Sequence, residues 1–501
     1  MKKIRKMHRI AVTGFENSGK TVFLTSLLWH LEEGGKKLEF RNKTNYTFNT
    51  AIHDYKRPKG FEKFEFIKFR RYLQDPKSVN RRWIEKTCGY SSFAVDFEHE
   101  PVTIGTGDRS DNCSDSGPMR TIKSIGKTTI KHVGKIIADS QQFLPFGHSP
   151  KRLEFFDFPG ERMADYLIYL AKDFDDWSEE IIETNPEIMD YMDKLQDCKD
   201  ENQLLDKYKR FLIKQFYTGK KHWVTPSCFS LDTEGHLLSD IKNEKGEQID
   251  NVVYRESTEE STEQILKHRH TGIKYGKGHE EFCPVPNAFK SNNKRAYKKI
   301  KKAFRIYKKR VVDPFFKQFI KSECVIVLLD IDRILKWGLR EYNDQRAAFK
   351  ELWNAFCRLT GKKKKKIAFV VNKADSFLEG DRGKLTNLAW ELVNKSHWSY
   401  KYNTRFFTCS PCSCVTEKNE NGSALYGNVV ENGAQISKEL DYREIPKTWP
   451  KDEWVQNSFG IVSREKLVPR VSSNNSEPPE QFGLDSILEF ALFDDTNTER
   501  Q

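Results

Sequence analysis

The fold of this chain is decided by residues 8–21, whose sequence is HRIAVTGFENSGKT, and by the apolar run VFLTSLLWHL that follows at 22–31. The pattern predicts a short buried strand, then a loop of the form Gly-x-x-x-x-Gly-Lys-Thr, then a helix. The glycines permit backbone conformations in which N–H groups point inward around a phosphate. The helix that begins at the end of the loop adds the positive end of its dipole. This stretch therefore predicts a phosphate-binding loop.

The same loop carries side chains suited to phosphates and to a metal ion. Lys20 is expected to reach the terminal phosphates and to assist catalysis, and the Thr21 hydroxyl is expected to bind Mg²⁺. A glycine turn before an ordinary core helix would not require the Lys-Thr pair, so phosphate binding is favoured. The loop residues expected to contact the nucleotide are Asn17, Ser18, Gly19, Lys20, Thr21 and Val22.

The composition limits the class of protein. A length of 501 residues allows one domain with large insertions, or two to three domains. The hydrophobic fraction of 37% and the aromatic fraction of 13% indicate a folded globular protein. The net charge of +13 favours anionic partners, but it does not choose between nucleotides, nucleic acid and an anionic membrane surface.

Cysteine usage and hydropathy favour a cytoplasmic location. The ten cysteines are scattered, and several lie in apolar runs such as the one that begins at Cys324, which is typical of a reduced protein. The N-terminal apolar run leads directly into the glycine loop, so cleavage there as a signal peptide would destroy the site. No stretch reaches the roughly 18–20 consecutive apolar residues of a membrane span, so any membrane contact is expected to be peripheral.

A second informative stretch is KRLEFFDFPGE at residues 151–161, where a predicted strand ends at Asp157. Beside a phosphate-binding loop, an Asp at the end of the neighbouring strand can hold Mg²⁺ through water. The backbone N–H of Gly160 could bond the γ-phosphate, and glycine lets the chain pivot when that phosphate leaves. In isolation Asp-x-Pro-Gly is a common strand-to-turn sequence. Behind the loop, it indicates a metal ligand at Asp157 and a catalytic backbone group at Gly160.

Two later apolar runs predict the base that is bound. Residues 322–330 and 367–371 are continuous apolar strands, typical of a parallel sheet covered on both faces. The second run leads into Asn372-Lys373-Ala374-Asp375. A carboxylate at Asp375 can accept hydrogen bonds from the N1–H and the 2-amino group of guanine, whereas adenine would leave the buried charge unpaired. The sequence therefore predicts a guanine nucleotide.

Neighbouring side chains complete the predicted base pocket. Asn372 is expected to bridge the base and the phosphate loop, and the stem of Lys373 is expected to cover the ring. After the next predicted strand, Cys409 and Ser410 lie where a backbone N–H could meet the guanine O6.

Residues 294–311 form a strongly cationic segment. The spacing of Ile300, Phe304, Tyr307 and Val311 predicts a helix with one apolar face, opposite which nearly every residue is Lys or Arg. Such a helix could lie on an anionic membrane. A surface helix packed on the core by its apolar stripe is the more common case. The partner predictions are thus a weak peripheral membrane contact through 294–311 and no specific nucleic acid.

Together these motifs resemble those of Ras-like GTPases, and the whole chain resembles more closely the YcjX-like family of bacterial P-loop proteins. Supporting features are the Asp-x-Pro-Gly-Glu form, the long insertion after it, residues 316–319 before the Cys324 strand, and the ending at 484–490. The resemblance implies an α/β fold, namely a Ras-like P-loop NTPase core with a mostly parallel sheet, helices on both faces and large, largely helical insertions. It also implies GTP binding and hydrolysis with Mg²⁺, and a stress-associated cytoplasmic role with an unknown protein partner or activator.

The resemblance divides the chain into a core and insertions. The predicted insertions are 41–82 and 101–150 around the first switch, a helical domain at 171–319, and a polar C-terminal excursion at 416–479. The predicted core comprises residues 1–40, 83–100, 151–170, 320–415 and 480–501.

The resemblance also implies residues of the first switch. Thr87 falls where that switch supplies its Mg²⁺-binding threonine, and Trp83 would lie near the nucleotide. The family pattern has an Arg just after this threonine, where the present chain has Cys88, so a built-in arginine finger is not implied. Three other arginines could stabilise developing charge, although surface or salt-bridge roles are more common: Arg81, Arg82 and Arg162.

The rate of hydrolysis is predicted from Glu161, which follows the switch glycine where Ras-like enzymes carry a water-orienting Gln. A carboxylate there could position water, but it adds negative charge beside the phosphates. Slow intrinsic hydrolysis that depends on an activator is therefore expected. Two alternatives stay open: a P-loop ATPase or kinase, and a nucleotide-gated binding or scaffold protein with negligible turnover.

Overall fold

The architecture comes from a computed structural model. The structure describes residues 7–14, 18–33, 38, 45–49, 57–74, 90–100, 151–184, 188, 198–217, 226–227, 281–360, 365–394, 402–418, 424–431, 434–450, 454, 458–462, 467–470 and 477–493. Several predictions lie outside the described residues: those for Asn17, Arg81, Arg82, Trp83, Thr87 and the insertion at 101–150.

A mostly parallel sheet organises the described chain, with the strand order β2-β4-β5-β1-β6-β7-β8 and with β3 paired to β4. The strands from β5 to β8 run parallel to their neighbours in this order, whereas β4 is antiparallel to both β5 and β2. The strands are β1 (Met7–Gly14), β2 (Asn45–Asn49), β3 (Glu62–Lys63), β4 (Ser91–Glu100), β5 (Lys151–Asp157), β6 (Cys324–Leu329), β7 (Lys366–Val371) and β8 (Asn403–Thr408).

The topology selects one edge of this sheet for ligand binding. β5 lies on one side of β1, and β6, the next strand in the chain, lies on the other, so the chain order of the strands reverses at β1. Ligands of open parallel sheets bind at such a switch point, outside the carboxyl ends of the strands. Gly14 ends β1 and Asp157 ends β5, while Asp330 and Asn372 directly follow β6 and β7. The fold thus gathers residues from four distant parts of the chain.

The helices cover both faces of the sheet. They are α1 (Lys20–Glu32), α2 (Phe66–Gln74), α3 (Tyr166–Leu170), α4 (Phe174–Glu183), α5 (Glu201–Tyr217), α6 (Asn287–Asn292), α7 (Lys294–Tyr307), α8 (Asp313–Lys321), α9 (Ile331–Trp337), α10 (Leu339–Thr360), α11 (Arg382–Asn394) and α12 (Leu484–Leu492). A 3₁₀ helix spans Gly160–Asp165, and a π-helical turn spans Lys308–Val312.

Side chains of β6 show the two buried layers, because successive residues of a strand point to opposite faces. Val325 and Val327 pack with residues of α8, α9, α10 and α11, whereas Ile326 and Leu328 pack with residues of α1, α2 and α12. The predicted α/β fold, with a mostly parallel sheet and helices on both faces, is confirmed. It is compatible with a P-loop-like core.

The helical insertion shares the core of one sheet face. Trp177 of α4 and Phe304 of α7 are fully buried and belong to the same apolar cluster as Phe156 of β5. Aromatic contacts continue this cluster, since Phe158 lies 4.7 Å from Phe315 of α8 between ring centroids. The described part of the insertion is therefore packed on the sheet rather than on a core of its own.

Two segments assigned to insertions contain strands. β2 and β3, within 41–82, extend the main sheet through β4. The C-terminal excursion forms a three-stranded sheet in the order β11-β10-β9, and β12 pairs with β13. These strands are β9 (Val415–Lys418), β10 (Ala424–Glu431), β11 (Ala434–Leu440), β12 (Tyr442–Arg443) and β13 (Gly460–Ile461).

The cationic segment is the helix α7, followed by the π-helical turn. The four residues predicted to form its apolar face are all buried in the core: Ile300, Phe304, Tyr307 and Val311. Contact of this segment with a membrane would therefore have to use its cationic face. Among the helices that the structure describes, none has the length and apolarity needed to cross a membrane.

Asp175 of α4 forms hydrogen bonds with side chains of α7. Asp175 accepts hydrogen bonds from Tyr297 Oη, from Lys301 Nζ at 2.6 Å and from Lys290 Nζ at 3.3 Å. Partial burial acts to raise the pKa of Asp175, but the hydrogen bonds from Lys301, Tyr297 and Lys290 hold it at about 2. An unfolded Asp has a pKa of about 4, so the folded state favours the ionised carboxylate.

We expect Asp175 to contribute stability above about pH 4, and this contribution to disappear as the pH falls through about 2. The excess stability of the wild type over Asp175→Asn should therefore shrink between pH 4 and pH 2 in urea unfolding. Asp176→Asn, which changes an exposed neighbour, is the control. An Asp175→Asn difference that stays constant over this interval would contradict the assignment.

Candidate phosphate and base site

Two glycines define the loop after β1. A Cβ atom at Gly14 would lie 2.6 Å from Ser18 Oγ and 2.7 Å from Leu328 O, so no side chain fits there. Gly19 has a φ of +82°, and a Cβ atom there would lie 2.5 Å from Asn372 Nδ2. α1 begins at Lys20 without a side-chain cap from Gly19, which leaves its first N–H groups for an anion. The described ends of this loop thus allow the close backbone approach that a phosphate-binding loop needs.

Lys20 and Ser18 face the interior of this loop. Lys20 Nζ donates to Gly14 O at 3.0 Å, so the amine lies across the loop. Ser18 is fully buried, and its Oγ has no hydrogen-bond partner among the described residues. Buried hydroxyl groups are usually paired, so Ser18 Oγ is available to a polar ligand at the loop.

Asn372 joins the loop to the end of β7. Its Nδ2 donates to Ser18 O at 2.7 Å across 354 positions of sequence. Its Oδ1 is buried and lacks a hydrogen-bond partner within the part of the chain that the structure describes. The amide therefore fixes the loop with one atom and offers the other to a ligand.

Lys373 has a strained, left-handed backbone conformation. Its φ of +60° is the only positive value for a non-glycine residue in the described ranges. Such a conformation costs on the order of 1–3 kcal/mol and persists only where the surroundings enforce it. Lys373 Nζ pairs with Asp330 Oδ2, a buried carboxylate whose Oδ1 also accepts the N–H of Arg333 at 3.0 Å.

Asp330 is a candidate site residue that sequence reasoning missed. Its signal was present, because it follows the apolar strand β6 as Asn372 follows β7. The sequence pattern does not reveal that Asp330 pairs with Lys373. The pair holds the head of Lys373, so the stem of that side chain has a defined direction.

For the guanine nucleotide that the sequence predicts, we expect Asp330→Asn to weaken GTP binding about tenfold, because the neutral amide loses a charge-assisted hydrogen bond to Lys373. The single-turnover rate at saturating GTP should stay unchanged. The test is a double-mutant cycle of GTP affinities, in which Asp330→Asn should have no further effect once Lys373 is Ala. Additive effects of the two changes would show that Asp330 does not act through Lys373.

Asp375 is buried and already holds three donors. Its Oδ1 accepts Ser410 Oγ at 2.7 Å, and its Oδ2 accepts the N–H groups of Cys414 at 2.7 Å and Val415 at 3.2 Å. Burial raises the pKa of Asp375, and the hydrogen bonds from Cys414, Ser410 and Val415 act against it. A carboxylate has about four acceptor positions, so guanine, which needs two, would have to displace at least one of these three donors.

The two amides expected to face the guanine O6 are used elsewhere. The N–H of Cys409 donates to Val371 O at 2.9 Å, and the N–H of Ser410 donates to Phe482 O at 3.1 Å. In this conformation neither amide is directed to a base. Ser410 instead contributes its hydroxyl to Asp375, because the bridge to Phe482 orients the chain after β8.

Two of the three predicted metal ligands, Asp157 and Thr21, lie at the same edge. Asp157 is buried and pairs in register with Val12 of β1, two residues before Gly14. Thr21 lies in the first turn of α1 and is half-buried. Gly160 begins the 3₁₀ helix that contains Glu161, whose side chain lies outside the description. We name residues 157–165 the Asp157 segment.

The chain was compared with models of known protein families. The model of the YcjX-like family, DUF463, matches residues 8–113 and 276–496. The chain belongs to the YcjX-like family. The expected resemblance is thereby confirmed at the level of the family. The matched segments of this family include the loop at 14–21 and Asn372 to Asp375, whereas the Asp157 segment lies between them.

Proposed function

We propose that this chain binds GTP with Mg²⁺ and hydrolyses it slowly to GDP and phosphate. The observation that carries the proposal is the hydrogen bond from Asn372 Nδ2 to Ser18 O at 2.7 Å, beside the partnerless atoms Ser18 Oγ and Asn372 Oδ1. It joins a base-reading tetrapeptide to a phosphate loop. Family membership is consistent with this function but does not by itself demonstrate catalysis.

Charge neutralisation is the main catalytic contribution of the loop. The amides of Gly19 and Lys20 and the start of α1 would bind the phosphates, and the Lys20 ammonium would move from Gly14 O to the terminal phosphates. Thr21, Asp157 and Thr87 have the oxygen donors that Mg²⁺ prefers, and they are the residues proposed to hold it. Bound Mg²⁺ would neutralise charge on the β- and γ-phosphate oxygens.

The Asp157 segment would handle the γ-phosphate. Gly160 is proposed to donate its N–H to that phosphate, and Glu161 to orient the attacking water. A carboxylate at Glu161 repels the developing negative charge, so intrinsic turnover is slow and an activator protein is required. A single-turnover rate near ~10 s⁻¹ for the isolated protein, far above unassisted Ras-type rates, would contradict this part.

Guanine selectivity is assigned to Asp375. The guanine N1–H and 2-amino group would replace backbone donors of Cys414 and Val415, so the carboxylate stays satisfied on binding. Adenine offers neither N–H group in that position. If adenine displaced the N–H groups of Cys414 and Val415, the buried carboxylate of Asp375 would be left with too few hydrogen-bond donors.

Competition between GTP and ATP tests the function. With Mg²⁺ present, we expect GTP to displace a fluorescent guanine nucleotide at concentrations at least about a hundredfold below those of ATP. Preference for ATP would favour the alternative of a P-loop ATPase or kinase. Tight GTP binding without any release of phosphate over hours would favour a nucleotide-gated binding protein.

Other parts of the biology stay predictions. These are the cytoplasmic location, the stress-associated role and a peripheral membrane contact made by the cationic face of α7. Liposome co-sedimentation of the wild type and of Lys-to-Glu variants in 294–311 tests the last of them.

A further inference from the structure

Four buried side chains, two of them in the Asp157 segment, form a closed ring of hydrogen bonds. Arg162 Nη1 donates to Tyr307 Oη at 2.6 Å and to Ser227 Oγ at 3.1 Å. Each hydroxyl in turn donates to Asp165 Oδ2, both at 2.7 Å. The N–H of Ser227 also donates to Asp165 Oδ1 at 2.6 Å. Ser227 and Tyr307 of the insertion thus hold the middle and the last residue of the 3₁₀ helix at Gly160–Asp165.

The ring works as an ion pair bridged by hydroxyl groups. Arg162 Nη1 and Asp165 Oδ2 lie 3.8 Å apart, and the two side chains are only 3% and 1% exposed. Removing one partner of a buried ion pair leaves an uncompensated charge, which is strongly destabilising. Of the roles considered for Arg162, the structure therefore shows a buried salt bridge. Tyr307 is the contribution of α7 to it.

Tyr90, a residue close in sequence to the predicted first switch, contacts the same part of the insertion. Tyr90 follows Thr87 by three positions, precedes β4 and donates its hydroxyl to Val311 O at 2.9 Å. After the Asp157 segment, the carbonyl groups of Ile168 and Tyr169 each accept Lys308 Nζ at 2.7 Å. Tyr90, the Asp157 segment and the residues just after that segment therefore all contact residues 307–311.

These contacts gather at the π-helical turn between α7 and α8. The N–H of Asp313 bonds to Lys308 O, which is the wider spacing of a π turn. One extra residue in a turn rotates the side chains that follow by about 100° around the helix axis. π turns in helices are frequent at functional sites. Here the turn allows Tyr307 and the Val311 carbonyl to face two different segments.

We propose that Tyr307, through Arg162 and Asp165, positions the Asp157 segment for GTP hydrolysis from outside the nucleotide-binding core. This inference rests on the proposed function, because the segment is placed against the γ-phosphate. Gly160 and Glu161 directly precede Arg162, so the ring fixes the backbone that carries them. A displacement of about 1 Å at a reacting group can lower a rate about a hundredfold. Tyr307 is thus a positioning residue rather than a catalytic one.

The test uses Tyr307→Phe, which removes one bridging hydroxyl and keeps the ring buried. We expect single-turnover GTP hydrolysis at saturation to fall about tenfold, while the GDP dissociation constant stays within about twofold. In the nucleotide-free protein, amide hydrogen exchange at residues 160–170 should rise about tenfold. Tyr402→Phe is the matched control, because Tyr402 is also buried and its hydroxyl bonds Thr360 Oγ1 at 2.7 Å, away from the ring. It should change none of the three readouts.

Two outcomes would overturn the inference. Unchanged exchange at 160–170 in Tyr307→Phe would show that the ring does not order the Asp157 segment. Faster exchange with unchanged hydrolysis would show that the order has no catalytic use. If the protein binds no guanine nucleotide, the proposed function fails, and the exchange measurement still decides whether Tyr307 orders the segment. Ser227→Ala removes the second hydroxyl and should act in the same direction if Tyr307→Phe does not fold.

Discussion

Replacing Lys20 by Ala is expected to weaken Mg²⁺–GTP binding at least about a hundredfold and to abolish measurable hydrolysis. The amine lies 3.0 Å from Gly14 O, across the loop that would hold the phosphates. A unit charge about 4 Å from a phosphate charge contributes about 4 kcal/mol at an effective dielectric constant near 20. Part of this energy is offset by desolvation, so a loss of about 3 kcal/mol is reasonable. The measurement is isothermal titration with GTP and Mg²⁺.

Two controls separate charge from folding in this experiment. Lys59→Ala removes the same charge at an exposed position, and it should leave the GTP affinity unchanged. Unfolding of Lys20→Ala in urea should match the wild type, because Ala is a good helix former at the start of α1. A GTP affinity of Lys20→Ala within about threefold of the wild-type value would contradict the assignment of the loop as the phosphate site.

Replacing Asp375 by Asn is expected to lower the GTP affinity about a hundredfold or more. The carboxylate is the only group proposed to accept both the N1–H and the 2-amino group of guanine, and the Asn amide would place a donor against one of these donors. The same change should remove most of the preference for GTP over ATP. Competition titrations of both nucleotides against wild type and variant measure it.

Asp375 also has a structural role, which the control must separate. Its carboxylate accepts Cys414 N, Val415 N and Ser410 Oγ, so the Asn variant should lose about 1–3 kcal/mol of unfolding free energy without nucleotide. Asp381→Asn makes the same change at another buried carboxylate, which accepts Tyr442 Oη at 2.6 Å. It should cost stability and leave GTP affinity unchanged. If Asp375→Asn behaves like this control, Asp375 only holds the loop before β9.

Local patterns were sufficient for much of the fold. The apolar runs before Asn372 and before Asp330 are buried strands, because only a sheet covered on both faces accommodates continuous apolar sequence. The apolar spacing of 294–311 located the buried face of α7 for a similar reason. By contrast, residues 41–82 show no clear period, and their two strands depend on pairing with β4.

By itself the sequence determined the α/β class of this protein, its phosphate-loop motif and its candidate base-reading tetrapeptide, since each depends on residues close together in the chain. Only the tertiary structure decided which groups those residues meet. Lys373 meets Asp330, Asp375 meets the amides of Cys414 and Val415, and Arg162 meets Tyr307. The reason is physical: such contacts join segments far apart in sequence, and a buried polar group takes whichever partner the packing brings to it.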